Sequence, residues 1–397
     1  MAKKPVFRLC MAAALAVILS MPGTPTLGAG KDVGKGGGNR GGNRGVLVAA
    51  TAVPGFFRYG SVFRIRYRSR TSRNVPVIVS GLAIIPNGPA PAAGRPVVSW
   101  GHGTTGVARD CAPSLDVERA IGATLGLTQL LEKGTVVVAA DYPGLGSAGV
   151  HPYLDGVSTA RAMIDAVRAV RELRQADAGS RYAAWGFSQG GHGALFVASI
   201  AGSYAPELTL VGSAAASAPT ELRRLLRADA HTLAGRVIAS YAIWSWQRFY
   251  GAPIAKIADR QAIAAIDAIA GVCSLGPLED LQLGLDSTAF QRSGFLAAEP
   301  GDSSVWGRLI AQNSTPETQR DVPILMLQGG ADPIVEAPIT RRYIRHLCAT
   351  GRRVRYVEMA GVDHGTAARR GADTAVRWLA DRFAGQPAPA DCDTVRE

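Results

Sequence analysis

The 397-residue chain is 47% hydrophobic and 19% charged, with 47 glycines and 23 prolines. That composition supplies core for one large domain or two to three small ones, and it excludes wholesale disorder and fibrous repeats. The formal net charge is +12, yet half of it sits in the first 45 residues, with no zinc-finger spacing, basic heptad helix or aromatic-basic block beside it. The charge alone therefore does not argue for a nucleic-acid partner.

Residues 1–30 read as an export signal. Lys3, Lys4 and Arg8 precede an apolar run of thirteen residues, Leu9 to Met21, which Pro22 and Gly23 break before the small residues Gly28, Ala29 and Gly30. The run is too short to span a bilayer, which takes about 20 residues, and no transmembrane segment is expected. Residues 31–49, glycine-rich and basic, have little to bury and read as a flexible leader. Loss of the signal removes Cys10 and leaves Cys111, Cys273, Cys348 and Cys392. An even number in an exported chain implies disulfides, in any of three pairings, and the lack of a Cys-x-x-Cys pair argues against zinc.

From Val62 to Arg70 the residues alternate, with Phe63, Ile65 and Tyr67 on one face and Arg64, Arg66 and Arg68 on the other. This predicts a half-buried antiparallel strand near a sheet edge, its arginines toward solvent. A second strand follows at Val75 to Ile85. Then come short unbroken apolar runs at 96–100, 135–140, 182–187, 208–215, 322–327 and 354–359, bounded by glycine and separated by helical patterns. Ala160, Met163, Val167 and Val170 mark one such helix, and 189–201 and 367–383 read as two more. Buried strands alternating with helices predict an α/β fold with a mostly parallel sheet, built from residues 50–218 and 321–397. Residues 219–320 contain no convincing strand, only helical stretches such as 236–250 and 258–270, and read as a helical cap or lid. Tyr241, Ile243, Trp244, Trp246, Phe249 and Tyr250 crowd one of these helices. They would either pack the cap onto the sheet, or line an acyl tunnel or meet a lipid surface.

Gly186-Phe187-Ser188-Gln189-Gly190 is the one Gly-x-Ser-x-Gly in the chain, and it falls between an apolar run and a helix. A sharp strand-to-helix turn there lifts a serine hydroxyl off the sheet, while Gly186 and Gly190 let neighbouring backbone pass. The helix N-terminus supplies free N–H groups beneath it. The base must come from six histidines. His102, His151 and His192 lie in or near other motifs, His231 lies in the cap, and His346 sits within a basic helix. His364, in the loop after the last strand, occupies the final slot of the serine–acid–histidine order of α/β hydrolases. Between them Asp332 follows the 322–327 run and is placed to orient the histidine, whereas Asp363 adjoins His364 but points away. The backbone N–H of Gln189 is one oxyanion donor. The other falls in Gly101-His-Gly-Thr-Thr-Gly106, at Thr104 or, as second choice, Thr105, with His102 bracing the loop.

Beyond this triad, 96–106 (Pro-Val-Val-Ser-Trp-Gly-His-Gly-Thr-Thr-Gly), 110–114 (Asp-Cys-Ala-Pro-Ser), 141–146 (Asp-Tyr-Pro-Gly-Leu-Gly) and 151–153 (His-Pro-Tyr) resemble the secretory lipase family of bacteria and fungi. That family is a lid-bearing branch of the α/β hydrolases, and the resemblance extends over about residues 50 to 395. It implies an α/β-hydrolase fold, ester hydrolysis through an acyl-serine on lipid or other ester substrates, and neither metal nor organic cofactor. It also implies pairing of Cys111 with Cys273 and of Cys348 with Cys392. Acyl transfer or peptide cleavage by the same triad, or a non-catalytic binding role, are the alternatives.

Overall fold

The computed structural model describes residues 44–55, 58, 60–229, 232–274, 283, 304–319, 321–393 and 395. The signal assigned to residues 1–30 lies outside them. A nine-stranded sheet runs in the order β1-β2-β3-β5-β4-β6-β7-β8-β9. Its strands are β1 Leu47–Val53, β2 Gly60–Arg70, β3 Pro76–Pro86, β4 Arg95–Gly101, β5 Val136–Ala140, β6 Ala178–Phe187, β7 Thr209–Ala216, β8 Ile324–Gly329 and β9 Val354–Met359. The first three are antiparallel, and β3 meets β5 antiparallel. From β5 onward every pairing is parallel. The helices of the described residues are α1 Val117–Ala123, α2 Leu127–Glu132, α3 Gly156–Glu172, α4 Gln189–Tyr204, α5 Leu222–Asp229, α6 Leu233–Tyr250, α7 Arg260–Ala270, α8 Val305–Asn313, α9 Ala337–Ala349 and α10 His364–Phe383.

Sequence pattern explains the layers. The unbroken apolar runs become the central strands because helices cover both faces. On one face Val97, Val138, Tyr182 and Ala184 pack with α3 and α4 through Met163, Val167 and Val197. On the other Trp100, Val137, Trp185 and Leu325 pack with Leu127, Leu130, Trp378 and Leu379. β2 keeps the predicted alternation, with Ile65 and Tyr67 buried and Arg64, Arg66 and Arg68 exposed.

Three expectations need correction. The leader placed at residues 31–49 overruns its end, because Leu47 already opens β1 and pairs with Tyr67. The residues of β1 are mostly exposed, so no buried stripe announces the strand; backbone pairing with β2 holds it. The stretch 367–383 begins too late, because α10 starts at His364, capped by Asp363 accepting from the Thr366 N–H. The strand at 182–187 begins earlier, at Ala178.

Between β7 and β8 the chain leaves the sheet and contributes α5 to α8, with no strand among the described residues of 219–320. Tyr241, Ile243 and Trp246 of α6 are buried against Ile266, Ile269, Trp306 and Ile310, so three of the crowded aromatic-helix positions serve packing. This insertion is fastened to the sheet by Cys111–Cys273. The Ser245 hydroxyl donates to the His151 carbonyl, and Trp246 Nε1 donates to the Tyr153 carbonyl at 2.8 Å.

Cys348–Cys392 pins the C-terminal segment to α9, and Asp391 adds an ion pair to Arg355 at 2.6 Å. The bridge spans 44 residues. Cys392→Ser should therefore lower unfolding stability by about 2–4 kcal/mol in denaturant titration, and Cys348→Ser added to it should cost nothing further.

Candidate active site

β6 turns into α4 at Ser188, whose φ of 51° and ψ of −118° are unusual for a residue with a side chain. The Ser188 N–H donates to the Ala216 carbonyl and its own carbonyl accepts from His192 N–H, so neighbouring β7 and the new helix both clamp the turn. Glycine is required on each side. A Cβ at Gly186 would lie 2.1 Å from the Gly190 carbonyl oxygen, and one at Gly190 would lie 2.0 Å from that of Gly101.

The structure brings Ser188, His364 and Asp332 into one hydrogen-bonded series. His364 Nε2 is 3.0 Å from Ser188 Oγ, and its Nδ1 is 2.8 Å from Asp332 Oδ2. Each comes from a loop at the carboxyl end of a strand, which is where the N-terminus of the following helix and the strand end converge. Asp332 Oδ1 accepts the amides of Ile334 and Val335, both at 2.9 Å, and Gln328 Nε2 donates to Oδ2 at 3.1 Å. Burial of Asp332 favours its neutral form, but the bond and charge of His364 and the two loop amides outweigh it and hold the pKa below the usual carboxylate value. An ionised Asp332 fixes Nδ1 of His364 as the donor and leaves Nε2 free to accept from the Ser188 hydroxyl. Such a series can take a proton from serine as the oxygen attacks an electrophile.

Asp363 caps α10, as its orientation away from the series requires. His346 is exposed and meets Glu317. His192, fully buried, is turned to the Asn313 carbonyl at 2.8 Å. His102 braces the loop after β4: its ring stacks on Tyr142, and Nδ1 lies 2.6 Å from the Gly103 carbonyl oxygen. In the same loop Thr104 Oγ1 shares a 2.7 Å hydrogen bond with the Tyr153 hydroxyl, while Thr105 offers its carbonyl to Ser274 N–H. Gln189 is the first residue of α4. Among the described residues no group of three or more His, Cys, Asp and Glu side chains converges on a metal position.

Two supports escape sequence reading. Gln328 sits at the end of β8, where Thr340 fixes its carbonyl oxygen and frees its amide for Asp332 and the Val335 carbonyl. Only its place four residues before Asp332 signals this. His151 is the other. Its Nδ1 is 2.9 Å from the Pro143 carbonyl, so Nε2 must accept, and Gln189 Nε2 supplies the proton at 3.0 Å. Ser188 opens into a cleft of apolar lining, with Leu222, Leu225, Leu226 and Ile238 from the insertion and Ile334 and Val335 beside Asp332.

Burial lowers the His151 pKa from 6.5 to about 3. The unfolded chain binds that proton near pH 6.5 and the folded one does not, so the residue's stabilisation is complete above pH 6.5 and is lost as pH falls toward 3. In paired melts, the stability advantage of wild type over His151→Gln should shrink by about 2–3 kcal/mol between pH 6.5 and 4.5.

The chain also resembles known proteins in sequence and in fold. A family model described as secretory lipase matches residues 119–391. Lipase A of Moesziomyces aphidis is 28% identical over 235 residues, 54% of this chain and 50% of that protein. Lipase A of Arthroderma benhamiae is 26% identical over 361 residues, 84% of this chain and 73% of that one. The chain thus spans half the length of the first relative and about three quarters of the second. Among solved structures, the rice cell wall degrading esterase LipA from Xanthomonas oryzae superposes with a TM-score of 0.71 at 21% identity, covering 87% of this chain and all of that one. That likeness establishes the α/β-hydrolase fold.

Proposed function

The chain belongs to the secretory lipase family, and from that premise we propose that it is an exported serine carboxylic-ester hydrolase acting on lipid or other acyl esters. The observation that carries the reading is the unbroken series Ser188–His364–Asp332 at the floor of an apolar cleft. Ser188 Oγ attacks the ester carbonyl carbon while His364 Nε2 takes the hydroxyl proton. Negative charge gathers on the carbonyl oxygen, and two amides receive it, that of Gln189 and that of Thr104, with Thr105 the alternative to Thr104. As the tetrahedral centre collapses, the C–O bond to the alcohol breaks and His364 returns the proton to the leaving oxygen. Water then repeats the sequence on the acyl-serine, releasing the acid and restoring Ser188. Asp332 keeps its charge throughout and stabilises the imidazolium.

Several features support the division of roles. The Ser188 backbone is held in a conformation that projects Oγ from the sheet. The bound Gln328 and loop amides leave Asp332 one direction in which to accept from a base. Leucines of α5 beside Ser188 suit an acyl chain, and residues 219–320 act as the lid over that cleft. Two disulfides fit an oxidising destination, with residues 1–30 as the removed signal.

The test is hydrolysis of p-nitrophenyl esters from two to sixteen acyl carbons by wild type and Ser188→Ala. Activity should fall by about 10⁴-fold or more in the variant at unchanged melting temperature. Undiminished turnover by Ser188→Ala overturns the assignment. A wild type silent on every ester transfers the reading to acyl transfer, peptide cleavage or binding, separable by an acceptor alcohol, a peptide panel and a serine-directed phosphonate.

A further inference from the structure

Between Asp32 and Asp110 the chain carries eleven basic residues and no acidic one. Five of them, Arg64, Arg66, Arg68, Arg70 and Arg73, fall on β2 and the turn that follows. Strand alternation sets Arg64, Arg66 and Arg68 on one face, roughly 7 Å apart, while Tyr67 and Ser69 face α3, bonding the Ala162 carbonyl and Asp165. Arg64, Arg70 and Arg73 donate to the backbone carbonyls of Ser114, Asn74 and Phe249, contacts that leave their charge uncancelled. Arg66 and Arg68 are exposed and reach no carboxylate among the described residues.

Apolar side chains stand beside this row. Five large hydrophobic residues of the described chain are well exposed: Val48, Val75, Leu115, Leu233 and Val305. Three of them border the arginines. Val48 precedes Ala49, the β1 partner of Arg66; Val75 lies two residues past Arg73; Leu115 follows Ser114, which holds Arg64.

The row also lies at the right end of the molecule. β2 runs antiparallel to β3 and β3 antiparallel to β5, so β2 points with the parallel strands. Pairing of β3 with β5 reaches its last register at Gly81–Ala140, and Arg66 to Arg70, opposite Ser80 to Pro76, extend beyond it toward the end where Ser188 sits. On the same face, a recess runs from Leu82, the partner of Arg64, past Trp100 to Phe187, the residue before Ser188, with Leu115 and Arg119 at its rim. Its acids are Asp110, Asp116 and Asp141; Asp116 pairs with Arg119, and Asp141 is buried at the floor, where it accepts from the hydroxyls of Ser80 and Ser114.

We propose that this face docks on an anionic lipid surface. The arginine row meets headgroup phosphates, Val48, Val75 and Leu115 enter the headgroup–acyl boundary, and the recess opens from that boundary toward Ser188. A soluble polyanion would use the arginines but gain nothing from three exposed apolar neighbours, and this decides for lipid. The surface touches the insertion at Arg73, on the Phe249 carbonyl, and at Ser274 in the recess, and docking requires no chemistry at Ser188.

Sedimentation of the full chain with phosphatidylcholine vesicles, and with vesicles containing 30% phosphatidylglycerol, tests it. Binding should rise with phosphatidylglycerol and collapse in 0.5 M NaCl. At about fivefold per arginine at the surface, Arg66→Gln/Arg68→Gln should weaken binding about thirtyfold, with melting temperature and turnover of p-nitrophenyl acetate unchanged. Leu115→Asp should weaken it independently. Equal binding to both vesicles, or wild-type binding by the double variant, overturns the proposal. So does binding to polygalacturonate or an oligonucleotide without adsorption to phosphatidylglycerol, which makes the row a polyanion site. Ser188→Ala must sediment like wild type, so loss of esterase activity and loss of docking are read separately.

Discussion

The site depends on one steric constraint: at the top of the sheet, the backbones of β4, β6 and α4 meet without room for a β-carbon. Gly101, Gly186 and Gly190 occupy that meeting point, each within contact distance of another's main chain. A methyl group on any of them would push α4 off the sheet, and Ser188 could not keep its positive φ while bonding both β7 and His192. Backbone strain of this kind costs of order 1–3 kcal/mol and persists only where surroundings over-determine it. Here they do, because the strand pairings on both sides of β6 are parallel and buried.

With the serine fixed, the remaining geometry follows from how the later strands end. β7 and β8 lie in sequence beside β6, and the loop after β8 carries Asp332 back over its own strand end, where Gln328 and two amides receive it. His364 needs only one further strand to reach the gap between them. The insertion is held at the opposite side of the cleft by the segment 151–155. Its backbone takes bonds from Ser245 and Trp246, while Tyr250 donates to Asp155 at 2.6 Å. The same segment supports Gln189 through His151 and Thr104 through Tyr153. Residues 151–155 therefore join the insertion side of the cleft to Gln189 and Thr104 beside Ser188, so movement of the insertion would be felt there.

Much of this was legible in the residues. Unbroken apolar runs between helices announced the parallel sheet, because a strand covered on both faces needs no polar alternation. Gly-Phe-Ser-Gln-Gly was readable because steric exclusion restricts its flanks to glycine. Asp332 and His364 were readable from chain order at strand ends. β1 was hidden because an edge strand with exposed side chains leaves only backbone pairing to define it. The start of α10 was hidden because His364 is both a site residue and the first residue of a capped helix, and loop-like residues such as Gly361 and Asp363 mask the boundary. Gln328 and His151 were hidden because a supporting hydrogen bond depends on tertiary placement and carries no local spacing rule.

The distribution of charge follows a related logic. Three carboxylates are buried beside the antiparallel half of the sheet: Asp141, Asp155 and Asp165. Their main partners from that half are hydroxyls, with Ser80 on Asp141, Ser72 on Asp155 and Ser69 on Asp165. Burial raises all three pKa values against these hydrogen bonds. Of the three, only Asp165 also meets an arginine, and that arginine, Arg168, comes from its own helix. β2, β3 and the turn between them thus give the acids their serines and keep Arg64, Arg66 and Arg68 for the outside. Pairing a β2 arginine with one of these acids would require burying both charges, whose desolvation in a low-dielectric interior can exceed their attraction. Hydroxyls satisfy the carboxylates without that cost, and the positive charge left on β2 is a consequence of how the core was made soluble to its own polar groups.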